Sequence, residues 1–222
     1  MSEPRRLILI RHGRVDFTSR DFRVTPRGRQ WNPPLSERGR EQAELLAAGL
    51  LAMARPSAFY CSPFRRCLET AAPFATAASL QPVIEEDICE VFLGEWEGES
   101  FEAILSGDEE AARRFRDREP LWSLSPGGED GLSFQARVVT AVESFLDAHP
   151  RGDVLVITHG GVINAYVMKV LGIKDQDMLF GPENTSLNIV HVQGGDRRVR
   201  FINDVSHLTD PTVFPRDARS AP

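Results

Sequence analysis

The sequence predicts an α/β fold: a three-layer sandwich with a mostly parallel central sheet flanked by helices, carrying a small cap insertion. Three observations lead there. "LILIRHG" (7–13) and "VLVITHG" (154–160) are apolar runs of four residues, each followed two positions later by His-Gly. Runs of that length and branching read as strands buried on both faces, and the glycine allows a sharp exit. Between and around them, helical and strand patterns alternate, as layered α/β proteins require.

Residues 5–11 form the first strand. The polar stretch 14–34, with Pro26, Gly28, Pro33 and Pro34, reads as a long loop, and loops of that length are usually functional or mobile. Ser36 is placed to N-cap a helix running to about Ala54, with Ala43, Leu46, Ala47 and Leu50 on one face. "SAFYCS" (57–62) is a short strand. In "SPFRRCLETAA", Ser62 reads as an N-cap and Pro63 as the first helical residue of a helix that stops at Pro73. Residues 82–92 read as mixed and extended. Residues 95–131, with the charged helical stretch "GDEEAARRFRDREP", read as the cap. An amphipathic helix from Ser133 places Phe134, Val138, Ala141 and Phe145 on one stripe. The second His-Gly strand leads into a helix ended by Gly172. "SLNIVHV" and "RVRFIND" form a closing hairpin through "QGGD". The whole chain, 1–222, is expected to be one domain with a flexible tail over 208–222.

The formal net charge of -6 argues against a nucleic-acid binder or an anionic-membrane binder, both of which need a basic surface. The N-terminal apolar run breaks at Arg11, too early for a signal peptide, and no stretch reaches transmembrane length. Three cysteines, Cys61, Cys67 and Cys89, match no zinc spacing and read as reduced packing residues of a cytoplasmic protein. The sequence leaves the oligomeric state open, a homodimer being compatible with it.

In open α/β sheets the ligand site lies beyond the carboxyl ends of the strands. His12 and His159 therefore face one pocket. Arg65 and Arg66 sit in the first turn of a helix that also follows a strand. A helix N-terminus favours an anion, and an arginine adds a fork that matches phosphate oxygens. Two histidines and these arginines make a pocket for a phosphoryl dianion.

At this point "LIRHG", "CSPFRRCLETA", "EVFLGEWEG", "SPGGE" and "ITHGG" resemble, in order and approximate spacing from residue 7 to about 170, the signature of the histidine phosphatase superfamily. That superfamily has the phosphoglycerate mutase-like fold, and the chain looks like its broad phosphatase branch. The resemblance implies that His12 is the nucleophile that becomes phosphohistidine. It implies that Arg11 holds the phosphoryl oxygens beside it. Arg66, four residues after Ser62 and four before Thr70, matches the second arginine, leaving Arg65 as a solvated helix residue. His159 matches the second histidine, which binds the phosphoryl group in flight, and Gly160 completes the phosphate-binding set. Glu90, four residues before Gly94, matches the acid that serves the leaving group; Glu85, Glu86 and Asp87 beside it read as an exposed charge run. His149, His191 and His207 need no role.

Such a site needs little beyond an in-line nucleophile and stabilised equatorial oxygens. His12 must attack as neutral imidazole, one ring nitrogen free and the other held by a partner such as a backbone carbonyl. Arg11, Arg66 and His159 supply fixed positive charge and hydrogen bonds, so neither a metal nor a cofactor is required. Glu90 must arrive protonated to give a proton to the departing alkoxide, and as carboxylate can then activate water.

Many members of the superfamily carry Glu-Thr after the first His-Gly and an Asn shortly afterwards. Here Arg14-Val15 and Thr18 stand in those places, so those polar contacts to phosphate are either missing or replaced by Thr18. The expected activity is a metal-independent phosphomonoesterase acting on a small phosphorylated metabolite. A cofactor-dependent phosphoglycerate mutase is the alternative enzyme; its segment after the acid is longer and richer in basic residues than 95–131. A non-catalytic phosphate- or phosphopeptide-binding module would be expected to have lost His12, Glu90 or His159, and all three are present.

Overall fold

The computed structural model describes residues 5–52, 56–117 and 119–209. Its main sheet has six strands: β1 (Arg5–Arg11), β4 (Ala58–Cys61), β5 (Val83–Ile84), β6 (Val154–Thr158), β7 (Leu187–Gln193) and β8 (Asp196–Asp204). A separate ribbon holds β2 (Phe22–Thr25) and β3 (Gly28–Trp31). The sheet order is β5-β4-β6-β1-β7-β8; β5, β4, β6 and β1 run parallel, and the β7–β8 hairpin is antiparallel to its neighbours.

The two apolar runs explain the layers. Leu7 and Leu9 point to one face of β1, Ile8 and Ile10 to the other, and all four are buried. The Ile face packs on α1 (Glu37–Leu51) and α2 (Arg65–Ala78) through Leu46, Ala47, Leu50, Cys67 and Phe74. The Leu face packs on α5 (Gly131–Ala148) and α6 (Gly160–Leu171) through Phe134, Val138, Phe145 and Ile163. The sandwich expected from alternating patterns is therefore present. β1 feeds α1 on one face and its neighbour β6 feeds α6 on the other. Their carboxyl ends thus form a switch point, where open α/β sheets leave a crevice.

Several boundaries differ from the sequence reading. The stretch 14–34 is not a plain loop. Pro26 and Arg27 turn the chain between Thr25 and Gly28, and the flanking residues pair Phe22 with Trp31. Pro after the first turn residue and Gly at the last is ordinary turn chemistry, masked here by the arginines around it. Ser36 caps α1 as expected, accepting from Gly39 N–H at 3.1 Å. That helix ends at Leu51, and residues 53–55 lie outside the described residues. Ser62 is not the cap of α2; Phe64 holds that position, and the helix continues through Pro73 to Ala78. Proline costs the helix one hydrogen bond, but Ala71, Phe74 and Ala75 around it are buried in the core, and that packing keeps the helix continuous. α5 starts two residues earlier than the Ser133 expected from the sequence, with Asp130 as its cap, accepting from Leu132 and Ser133 N–H. Gly172 ends α6 in the left-handed conformation at φ 69°.

The stretch 82–92 is only partly extended: after β5 it forms a 3-10 turn at Glu86–Ile88. The segment 95–131 contains α3 (Phe101–Gly107) and α4 (Glu109–Asp117). Of the tail expected to be flexible over 208–222, Leu208 closes a 3-10 turn, Ser206–Leu208, and 210–222 lies outside the described residues. No helix among the described residues is long and apolar enough to cross a membrane.

Candidate active site

Arg11 pairs with Thr158 in the β1–β6 ladder, so His12 and His159 leave adjacent strands side by side. Their rings lie 5.3 Å apart, edge to face at 65°, and both side chains are buried. His12 N–H donates to Thr158 O at 2.9 Å, which continues the ladder one residue beyond the strand.

The His12 ring has a defined tautomer. Its Nδ1 lies 2.8 Å from Gly13 O. A carbonyl only accepts, so Nδ1 carries the hydrogen and Nε2 presents a lone pair. Gly13 is itself fixed, because its N–H donates to Thr70 Oγ1 at 2.9 Å and that hydroxyl donates to Arg66 O at 2.6 Å. No larger residue would fit there: a Cβ on Gly13 would lie 2.7 Å from Gly39 O of α1.

His159 has the opposite tautomer. Arg66, buried in the first turn of α2, donates from Nε to His159 Nδ1 at 3.2 Å and from Nη1 to Trp31 O at 3.0 Å. A guanidinium only donates, so the His159 hydrogen is on Nε2, 2.8 Å from Ser62 Oγ. Ser62 thus orients the second histidine instead of capping the helix. Burial first, then the nearby Arg66, holds both imidazoles well below the ordinary histidine range. Both are neutral near pH 7.

Arg11 reaches the same crevice from β1. Its Nη1 donates to Pro182 O, and its Nε is buried with no hydrogen-bond partner among the described residues. Buried donors are normally satisfied, and an unpaired guanidinium N–H in this crevice suits an incoming anionic oxygen. Gly160 opens α6, and a Cβ there would stand 3.6 Å from Arg11 Nε, so the glycine leaves that approach clear. Arg65 points elsewhere, to Glu69 at 2.7 Å and Asp21 at 3.4 Å, and is exposed. The separation of the two arginines follows the sequence register.

The Glu90 carboxylate reaches the first turn of α6. Its Oε2 accepts from Gly161 N–H at 3.3 Å and its Oε1 from Val91 N–H at 3.1 Å. The chain around it is gripped by Arg137 of α5, which donates to Asp87 O at 2.8 Å, Cys89 O at 2.9 Å and Glu90 O at 3.1 Å. Glu129 holds that guanidinium by two bonds, at 2.6 and 2.7 Å, which gives "SPGGE" a concrete task. Glu86 and Asp87 pair with Arg23 and Arg27 of the hairpin segment.

Thr18 stands apart. It is exposed, and both its N–H and its hydroxyl donate to Asp16 Oδ1; no hydrogen bond among the described residues ties it to the histidine pair. Arg14 is exposed as well. The cysteines are buried free thiols pushed up by burial, Cys89 to about 12. Sequence reasoning missed Trp31, Gln30, whose Nε2 donates to Glu90 O at 3.3 Å, Arg137, and the turn Asn184–Ser186 behind His12. The hairpin turn signal pointed to the first two; the others act through long-range contacts that no local pattern encodes. Among the described residues no group of three or more His, Cys, Asp or Glu side chains is placed to hold a metal ion.

The family profile of the histidine phosphatase superfamily (branch 1) matches residues 7–205. Phosphoserine phosphatase 1 of Hydrogenobacter thermophilus is 30% identical over 207 residues, covering 91% of this chain and 94% of that protein. A metal-independent phosphoserine phosphatase of Arabidopsis thaliana is 29% identical over 216 residues, covering 97% of this chain and 88% of that one. Among solved structures, YhfR of Bacillus stearothermophilus superposes with a TM-score of 0.77 at 30% identity, covering 91% of this chain and 98% of that one.

Proposed function

The chain belongs to the histidine phosphatase superfamily and is a phosphoric monoester hydrolase; on that premise we propose that it passes the phosphoryl group of a small phosphorylated metabolite to His12 and then to water, without a metal ion. The observation that carries this reading is the His12 tautomer: Nδ1–H is tied to Gly13 O and Nε2 is left as the nucleophile. Beside it, Arg11 Nε has no partner among the described residues.

In the first step the Nε2 lone pair forms a bond to phosphorus as the bond to the leaving oxygen breaks. Glu90 gives its proton to that oxygen. In this reading Arg11 and Arg66 donate to the equatorial oxygens, with His159 packed beside them, and stabilise charge as it spreads there. In the second step Glu90, now a carboxylate, takes a proton from a water that attacks phosphorus. The P–N bond breaks, its electrons return to Nε2, and inorganic phosphate leaves.

The segment 95–131 serves in this reading as the cap over the leaving group, within one domain, in the cytoplasm. Two relatives are named phosphoserine phosphatases, so phosphoserine heads the panel of phosphorylated metabolites to be screened by phosphate release. The deciding experiment is His12→Ala. It should remove turnover while leaving the fold intact, and wild-type protein quenched during turnover should carry an acid-labile, base-stable phosphate on His12. Activity retained by the alanine variant refutes the mechanism.

A further inference from the structure

We propose that Thr185, braced by His207, is a positioning residue that sets the nucleophile His12 in line for attack; the proposal rests on the phosphohistidine reading above. Four non-glycine residues among those described adopt positive φ, and Thr185, at 61°, is the β-branched one. That conformation is unfavourable for a branched side chain and persists only where its surroundings enforce it.

The unusual backbone has a direct consequence at the site. It turns the Thr185 N–H back onto the end of β1, where it donates to Arg11 O at 3.1 Å and His12 O at 3.3 Å. The preceding residue, Asn184, donates from Nδ2 to His12 O at 3.0 Å. The following residue, Ser186, accepts Arg11 N–H at 3.3 Å. Three consecutive residues therefore grip the main chain of the two phosphate-facing residues. From the opposite side His12 N–H is bound to Thr158 O. The imidazole pivots on a Cα held between β6 and this turn.

His207 holds the turn in place. Thr185 Oγ1 donates its hydrogen to Asn184 O at 2.7 Å and lies 3.2 Å from His207 Nε2. The hydroxyl has one hydrogen, already committed, so the imidazole donates. His207 is fully buried, and burial lowers its pKa to about 4. It stays a neutral donor at ordinary pH. The nucleophile's direction thus depends on a side chain 195 positions away (His207 and His12 in the sequence) that never meets the substrate.

Thr185→Gly separates positioning from mere packing. Glycine adopts the same φ freely, which relieves strain, but it loosens the unfolded chain and leaves the buried His207 Nε2–H without its acceptor, so the fold should stand with thermal stability modestly lowered. It also removes the hydroxyl through which His207 fixes the turn. Single-turnover rapid quench with enzyme in excess reads the phosphorylation step directly. Thr185→Gly and His207→Leu should slow it by about tenfold or more with KM within about twofold, since small misplacements of a nucleophile are costly. Thr185→Ser and His207→Gln, which keep the hydroxyl and the donor, should stay within about threefold of wild type. Thr185→Gly reacting at the wild-type rate, or Ser and Gly variants behaving alike, overturns the proposal even if His207→Leu fails to fold. His12→Ala is run beside them: its activity would overturn the phosphohistidine reading and this proposal together, whereas an inactive His12→Ala with a fully active Thr185→Gly overturns this one alone.

Discussion

Arg66 Nε donates to His159 Nδ1 across 3.2 Å, and that bond gives the two active-site imidazoles opposite tautomers. His12 keeps its hydrogen on Nδ1, against Gly13 O, and His159 on Nε2, against Ser62 Oγ. The proposed nucleophile and its proposed helper are the same residue type, and only their partners differentiate them.

Nitrogen NMR of the imidazoles should therefore show a Nδ1–H form for His12 and a Nε2–H form for His159. Neither should titrate near 6.5, because both are held well below the ordinary value by burial and by Arg66. The linkage follows in sign. Below about 6.5 the unfolded chain takes up protons that the folded chain refuses, so stability falls as pH falls. For His207 that loss is complete near its folded value of about 4; for His12 and His159 it extends through their lowered folded values. Chemical denaturation between neutral and acid pH checks the slope, and a His12 titration at 6.5 would contradict the lowering by burial and Arg66.

Arg66 and Arg65 are neighbours in sequence with separate duties. Arg66→Ala should lower turnover by about a hundredfold or more, the effect of losing one transition-state donor. Arg65→Ala should change turnover little, because its exposed pairs with Glu69 and Asp21 contribute little. Steady-state kinetics on the two variants decides; equal losses would mean that both guanidinium groups reach the substrate.

Much of this site was legible because its chemistry is local. The strand ends carrying His12 and His159, the helix carrying Arg66, and the spacing of Glu90 from Gly94 all follow from short patterns. What the sequence hid is what acts at a distance. Ser62 looked like a cap because Ser-Pro commonly opens a helix, yet its hydroxyl goes to a histidine 97 residues later. Thr18 occupied a place where the family has a polar contact, but the adjacent Asp16 takes both its donors. Arg137 lies on a helix read for its apolar stripe, and its grip on the Glu90 segment depends on how α5 docks.

Activity should persist in excess EDTA. In the proposed site the charge that would face a phosphoryl group comes from Arg11 and Arg66, which no chelator removes. Phosphate release measured with and without chelator checks this; a full loss restored by a divalent ion would place the chemistry in another class.

Glu90 and Gly161 provide the sharpest test of the acid. A Cβ on Gly161 would lie 2.4 Å from Glu90 Oε1 and 3.3 Å from the Phe134 ring. The carboxylate is the free end of a flexible side chain, so Gly161→Ala should displace it and leave the fold standing. Gly161 is the second residue of α6, where alanine is tolerated by the helix backbone. The variant should then resemble Glu90→Gln. A general acid matters in proportion to how poor the leaving group is. Alkyl phosphates leave as strong bases and should lose turnover in both variants, whereas para-nitrophenyl phosphate should be spared in both, provided phosphorylation of His12 limits the rate. Where dephosphorylation limits, both substrates decline together, because the lost base acts on water in the shared step, and burst kinetics separates the two regimes. Wild-type turnover of alkyl phosphates by Glu90→Gln would remove the acid role. The charge run beside it offers no ready substitute, since Glu86 and Asp87 are drawn to Arg23 and Arg27. The proton would then have to come from the substrate or from solvent.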